Sequence, residues 1–425
     1  MRDGGRLSAA IEVLTEIETR RRPVRLALKA WGDAARYAGA KDRAWVSGLV
    51  LDALRRRRSL AWRMGADTPR AVVLGVLAFA WGWSPEKIAE ACADAPHGPG
   101  ELTNAEWSAL RAPADLDAAP DAVRGDYPDW LDASFARVFG EARGEEGAAL
   151  AERAPVDLRV NTLKTDPDRA LKALATFEPE RPGLAPNAVR IAAPDAAARS
   201  GAVEAIPQFG KGWFEVQDLG SQLAAAAAGD VKGQQVLDLC AGGGGKTLAL
   251  AAEMANTGQI YAYDSDARRL TDTVRRGERA GVRNLQVRTP LNKDPLKDLQ
   301  GKMDLVFIDA PCTGTGSWRR HPDTKWRLTP DALAKRQQDQ DQVLEDGTRY
   351  LKPGGRIVYV TCSVLPEEDE DRVEAFLARH PDFARKPAAT SPDLAPRLTP
   401  AGDLRLTPRT SNTDGFYVAV LEKQA

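Results

Sequence analysis

The chain has 425 residues, a formal net charge of −1 and 43% hydrophobic residues, a length that suits two or three cores because one core stops growing near about 250–300 residues. Taken whole it is not a polycation. Its longest apolar stretch, Ala71 to Trp83, is shorter than the roughly 20 residues a bilayer-spanning helix needs, so no membrane partner is expected and that stretch reads as a core helix. Met1 to Ile17 has no basic start followed by an apolar core, so a secretory signal is not expected. Four cysteines without regular spacing argue against a disulfide scaffold, and no His/Cys cluster has zinc spacing, so the expectation is a cytoplasmic protein with no metal site.

Residues 1 to about 90 read as all-helical. Ile11, Leu14 and Ile17 recur at helical spacing, as do Trp45, Leu49 and Leu51 with Leu54. Residues 1–70 carry sixteen Lys/Arg against eight Asp/Glu, with dense runs at Arg20–Arg22 and Arg55–Arg58. Such runs are more often solvated helix faces than binding sites. The segment Ala89 to Pro128 is rich in Ala, Pro, Asp and Gly and reads as a linker or loosely packed loop. Helix and strand then mix up to about Ala205, with a short strand at Leu158–Val160 and a helix from Asp166 to Thr176.

From Val216 onward a regular alternation predicts a parallel sheet with helices on both faces. Strands are expected at Gln235–Leu239, Gln259–Tyr263, Leu285–Val287, Asp304–Ile308 and Arg356–Val360. Helices are expected at Lys246–Met254, Ala267–Ala280 and Asp331–Leu351. Pro387 to Asp414 reads as loop, and Phe416–Leu421 as a last antiparallel strand at the sheet edge. The expected division is a helical domain with linker over 1–125, an α+β subdomain over 126–212 and a Rossmann-like α/β domain over 213–425.

Two cysteines follow predicted strands. Cys312 ends Asp309-Ala310-Pro311-Cys312, and Cys362 lies in Thr361-Cys362-Ser363. Open α/β sheets bind ligands at the carboxyl ends of their strands, so two thiols at equivalent strand ends point to covalent chemistry. Buried cysteine is often just a small hydrophobe, which is the reading for Cys92. Upstream, the strand Val236–Leu239 runs into Cys240, Ala241, Gly242, Gly243, Gly244, Gly245 and Lys246, opening a helix at Thr247. Cys240 stands where a Walker A loop needs glycine, and Thr247 stands where a G-x-G-x-x-G fingerprint needs its third. Asp264, ending the next strand, is placed to accept hydrogen bonds from ribose hydroxyls, although a turn acid would look the same. A ribose acid beside a loop without a standard phosphate motif suits S-adenosylmethionine. A methyl donor beside thiols in turn suits C5 of cytosine, which becomes nucleophilic when a thiolate adds to C6. Asp309 is spaced to meet the N3/N4 edge of that base.

These pieces resemble the RNA cytosine-5 methyltransferase family (the Sun and nucleolar-protein group), in particular its bacterial branch acting on small-subunit ribosomal RNA. The likeness rests on Gln217 to Gln222, the loop ending Gly244-Gly245-Lys246-Thr247, Asp309 to Gly314, Arg320 to Asp323, Thr361 to Ser363 and Asp414-Gly415-Phe416. It implies Cys362 as nucleophile, Cys312 as the residue aiding release of the methylated base, and Cys240 to Lys246, Asp264 and Asp309 as holders of S-adenosylmethionine. It also implies RNA contacts by Arg159 and Asn161, an antitermination-factor-like (NusB-like) first domain, and arginine runs that touch phosphates. Ribosomal RNA is the implied partner, with no DNA and no need for more than a monomer. Two departures stand out. Gly242 and Gly243 replace the family's Ala-Pro, and residues 287–294 lack an acid at the spacing expected for the adenine amino group, where Asn292 is the substitute. The alternative is a non-catalytic RNA-binding assembly or antitermination factor.

Overall fold

The computed structural model describes residues 1–193, 202–291 and 293–424. Asn292 therefore lies outside the described residues. By its internal contacts the chain forms two units. One is Met1–Arg153 with the later segment Trp318–Leu328, and the other is the rest of the described chain. The expected boundary at 125/126 falls inside the first unit, and that at 212/213 inside the second.

The first unit is helical. Asp3–Arg20, Val24–Ala34, Ala40–Arg55, Arg57–Met64 and Pro69–Gly75 lead, and a π-helical turn, Val76–Ala80, follows. Leu7, Leu14, Leu49, Val72 and Leu77 are wholly buried in one core, as the helical spacing predicts. The segment read as a linker is ordered and carries helices Asn104–Arg111 and Asp121–Arg124. Thr103 and Glu106 cap the first of these reciprocally. Arg70 gathers the loop before it by donating to the carbonyls of Pro99, Gly100 and Glu101 and pairing with Glu106 at 2.7 Å. Composition cannot show such a long-range tie.

Trp318–Leu328 joins this unit through specific bonds. The Trp318 ring is buried and stacks on Phe135 with centroids 6.1 Å apart. Lys325 Nζ donates to the Arg55 carbonyl at 2.9 Å, and Trp326 Nε1 donates to the Leu54 carbonyl at 2.7 Å. Burial depresses the Lys325 ammonium to about 8, with the Asp126 charge opposing. The second arginine run makes ion pairs with neighbouring carboxylates. Arg55 pairs with Asp52, Arg56 with Glu152, Arg57 with Glu18 and Asp67, and Arg58 with Asp129. By contrast Arg25, Lys29, Arg36 and Lys41 are exposed and make no ion pair among the described residues.

The second unit holds two sheets. Strands β1 (Val156–Val160), β2 (Ala188–Ile191) and β3 (Phe214–Val216) form an antiparallel sheet in the order β2-β1-β3. The larger sheet contains β4 (Gln235–Asp238), β5 (Gln259–Tyr263), β6 (Leu285–Arg288), β7 (Met303–Asp309), β8 (Leu351–Thr361), β9 (Phe383–Lys386), β10 (Leu404–Leu406) and β11 (Phe416–Lys423). Its order is β10-β11-β8-β7-β4-β5-β6, with β9 also pairing β11. Strands β4 to β8 pair in parallel, as the alternation predicts. Two expectations fail. Strand β11 is not at the edge, because β8 lies on one side and β9 and β10 on the other. Residues 387–414 are not all loop, since β10 and the short helix Pro408–Ser411 lie within them. A three-residue strand leaves too little alternation to read.

A candidate active site at the strand ends

The sheet reverses direction of growth at β4, which has β5 on one side and β7 on the other. A crevice opens at the carboxyl ends of strands on each side of such a switch point. Here a cavity of about 380 Å³ is lined by Leu239 and Cys240 after β4, Tyr263, Asp264 and Ser265 after β5, and Asp309 and Pro311 after β7. Its lining also includes Asp294, Leu296, Val343, Asp346, Arg349 and Tyr350.

The glycine loop is pinned to the neighbouring strand. Ala241 N donates to the Tyr263 carbonyl, and Gly242 N donates to Asp264 Oδ2, both at 2.9 Å. Asp264 Oδ1 accepts from Asp266 N at 2.8 Å, so the carboxylate is fixed and 95% buried. Gly244 has φ +81°, and a Cβ there would stand 2.9 Å from Thr273, so only glycine lets the loop pack against the helix Ala267–Ala280. Gly242, at φ +53°, also occupies the left-handed region, which explains how glycine serves at the first departure from the family loop. Gly243 accepts from Arg276 through its carbonyl, and Gly245 begins the helix Gly245–Glu253.

That helix buries Lys246, whose Nζ donates to Asp309 Oδ2 at 2.7 Å and lies 5.2 Å from the Phe416 ring centre. Burial alone would lower the Lys246 ammonium, yet the Asp309 carboxylate outweighs it and raises the group above its usual range. Strands β7 and β8 are parallel neighbours in register from Asp309 to Val360, so the residues following each strand meet. The Sγ atoms of Cys312 and Cys362 are 3.3 Å apart. The hydrogen bond to Cys362 and then burial push the Cys312 thiol well above its ordinary value. Burial likewise raises the Cys240 thiol, so it stays protonated and inert beside the loop.

The structure thus brings together Asp309, Cys312, Cys362 and Lys246, with Cys240–Gly245 and Asp264 alongside. Arg159 and Asn161 behave differently from expectation. Asn161 is buried and donates to the carbonyls of Gly212 and Ala280 at 2.8 Å each, and Arg159 donates to Gln217 at 2.7 Å from a buried position. Both hold the fold together, because a buried amide or guanidinium needs such partners. Sequence reading missed Asp294, two residues past the proposed Asn292, which reaches the cavity with a positive φ of 52°. It also missed Asp346 and Arg349, at the end of the long polar helix Pro330–Thr348, where nothing in the pattern distinguishes them from solvent-facing charges.

The cavity chemistry fits the expected cofactor. Four carboxylates, Asp264, Asp294, Asp309 and Asp346, outnumber two arginines, and Leu239, Leu296, Val343 and Tyr350 provide apolar walls. A cationic ligand with hydroxyls and a flat ring suits that lining better than an anionic one.

Residues 227–422 match the family model of the 16S rRNA methyltransferases RsmB/F. The probable ribosomal RNA small subunit methyltransferase B of Synechocystis sp. is 32% identical over 302 residues, covering 70% of this chain and 67% of that one. The ribosomal RNA small subunit methyltransferase B of Klebsiella pneumoniae is 36% identical over 303 residues, covering 70% and 66%. The matches therefore span about two thirds of these relatives' length. Among solved structures, a methyltransferase homologue from Pyrococcus horikoshii is similar with a TM-score of 0.60 and 29% identity, covering 72% of this chain and 98% of that one.

Proposed function

The chain belongs to the 16S rRNA methyltransferase RsmB/F family, and from that premise we propose that it methylates C5 of a cytosine in small-subunit ribosomal RNA through a covalent cysteine adduct. The methyl donor of the family is S-adenosylmethionine, which when bound supplies an electrophilic methyl group. Asp264 and the loop Cys240–Lys246 would hold it, with Asp294 available in the cavity lining.

One observation carries the reading: two thiols 3.3 Å apart beside an ion pair of the buried Lys246 with the half-buried Asp309. The Cys362 thiolate adds to C6, and the C5–C6 electron pair becomes available at C5. Negative charge grows toward N3, where the Lys246 ammonium, held in place by Asp309, can meet it. After C5 gains its methyl group, its proton passes to a solvent water acting as base. The C5–H pair re-forms the C5–C6 double bond while the C6–S pair returns to Cys362. Cys312, touching Cys362, is the group in reach of this release step. A base stacked in a helix hides its C6 face, so the target must be unstacked or flipped. Exposed Arg25 and Lys29, four residues apart on one helix face, and nearby Arg36 and Lys41 supply phosphate contacts in this reading.

The test is Cys312→Ser incubated with unmodified small-subunit ribosomal RNA and S-adenosylmethionine, followed by a denaturing gel. The expected product is a slow-migrating protein–RNA adduct that disappears when Cys362→Ala is added. Methylation by wild type without any adduct in Cys312→Ser would reverse or remove the two assigned roles.

A further inference from the structure

Glu368 is fully buried, six residues beyond Cys362, and it is bonded to the segments that carry both thiols. Its carboxylate accepts from the backbone N of Thr313 at 2.8 Å and from the Thr313 hydroxyl, so it grips the residue next to Cys312. Gln340 Nε2 donates both to Glu368 Oε1 and to the Pro311 carbonyl, each at 3.0 Å, fixing the residue on the other side of Cys312. On the Cys362 side, the Glu368 backbone carbonyl accepts from Tyr359 of β8 at 2.6 Å. The Ser363 hydroxyl meets Thr315 at 3.0 Å, and Gly316 N donates to the Cys362 carbonyl at 2.9 Å, which closes the brace. A buried carboxylate is costly to retain unless hydrogen bonds surround it, and these run to the residues on both sides of Cys312.

We propose that Glu368 is a positioning residue that holds the Cys312 loop against Cys362 and thereby governs release of the methylated base. The inference rests on the adduct mechanism given above. Glu368 touches neither sulfur, so it acts through Thr313 and, by way of Gln340, through Pro311. Its negative charge also helps keep the Cys312 sulfur protonated. Loosening the brace leaves Cys362, with its own strand and register, able to add to C6, while Cys312 drifts from the release geometry.

The experiment compares Glu368→Gln, Thr313→Val and Cys312→Ser with wild type, using unmodified small-subunit ribosomal RNA and S-adenosylmethionine. Glu368→Gln turns one of the two acceptor oxygens into an N–H donor and removes the charge, so the three bonds from Thr313 N, the Thr313 hydroxyl and Gln340 can no longer all be accepted, whereas Thr313→Val deletes one bond at little change in volume. In Glu368→Gln, steady-state turnover is expected to fall roughly a hundredfold, the cost of misplacing a reacting group by about 1 Å. Single-turnover methyl transfer should fall less, and the covalent adduct should accumulate on a denaturing gel. Thr313→Val should show the same pattern more weakly, and Glu368→Asp should recover part of the turnover. Equal loss of transfer and turnover without adduct in both variants, or wild-type turnover in Glu368→Gln, would overturn the proposal. If Cys312→Ser itself forms no adduct, the underlying mechanism fails. If it does and the other two variants do not, only the role of Glu368 fails.

Discussion

Asp238 closes β4 immediately before the glycine loop and is buried with its Oδ2 accepting from the Thr247 hydroxyl at 2.6 Å. Burial raises its carboxyl to about 7, with the nearby Asp309 adding to the rise against the hydrogen bond from Thr247. A carboxyl whose folded value lies above its unfolded one contributes stability that is fully present below about pH 4 and is lost as pH rises through 7. Asp238→Asn keeps an acceptor for Thr247 and removes the ionisation. Its thermal midpoint should therefore fall less than that of wild type between pH 5 and pH 8, with the two proteins diverging in favour of the variant at the upper end. Parallel curves for both would mean that Asp238 ionises freely in the folded protein. The same logic of environment over identity separates the cysteines: Cys240 and Cys312 are pushed toward the thiol, while Cys362 follows β8 as the reactive partner in the proposed chemistry.

At the level of elements, Trp318–Leu328 shows how a short segment can belong to a core distant in sequence. Trp318→Ala removes the largest fully buried side chain, which stacks on Phe135. It should cost about 3–5 kcal/mol in a denaturant titration, the range for deleting a buried aromatic. A loss under about 1 kcal/mol would mean that the segment is not docked in solution. The strands β4, β5 and β7 and the helix Ala267–Ala280 were legible in the sequence because each carries several residues of one periodicity. So were Cys312 and Cys362, because each follows a long apolar run. The short β10 and the interior place of β11 were not, the first for want of alternation and the second because it depends on partners far away in the chain, while the helix Asn104–Arg111 was passed over despite its local Thr103–Glu106 cap. Arg159 and Asn161 were expected to contact RNA and are buried on protein partners instead, because a basic or amide residue looks the same in sequence whether its partner is a phosphate or a buried group. Asp294 went unnoticed because its approach to the cavity is set by the backbone turn and not by its neighbours' identities.

On the scale of the whole molecule, a net charge of −1 gives no general attraction to RNA, so affinity must come from local patches. The exposed, unpaired cations on and after the helix Val24–Ala34 are one such patch. Arg25→Ala with Lys29→Ala should weaken binding of ribosomal RNA and lower the slope of log K against log salt concentration by up to about two, one for each lost phosphate contact. Binding of S-adenosylmethionine should be unaffected. An unchanged salt slope would place the RNA elsewhere on the protein.

The position of β11 has a further consequence during synthesis. Strand β8, which delivers Cys362, pairs along one side with β11, the last strand of the sheet to be translated. Until Phe416–Lys423 emerges, β8 presents an open edge of apolar residues, the kind of surface that recruits stray strands. A chain interrupted before Phe416 would carry every residue assigned to chemistry here and still lack the partner that shields its nucleophile's strand. Damaged messages would thus yield products prone to clump, and so to be cleared, in place of half-built enzymes at large among nascent ribosomes.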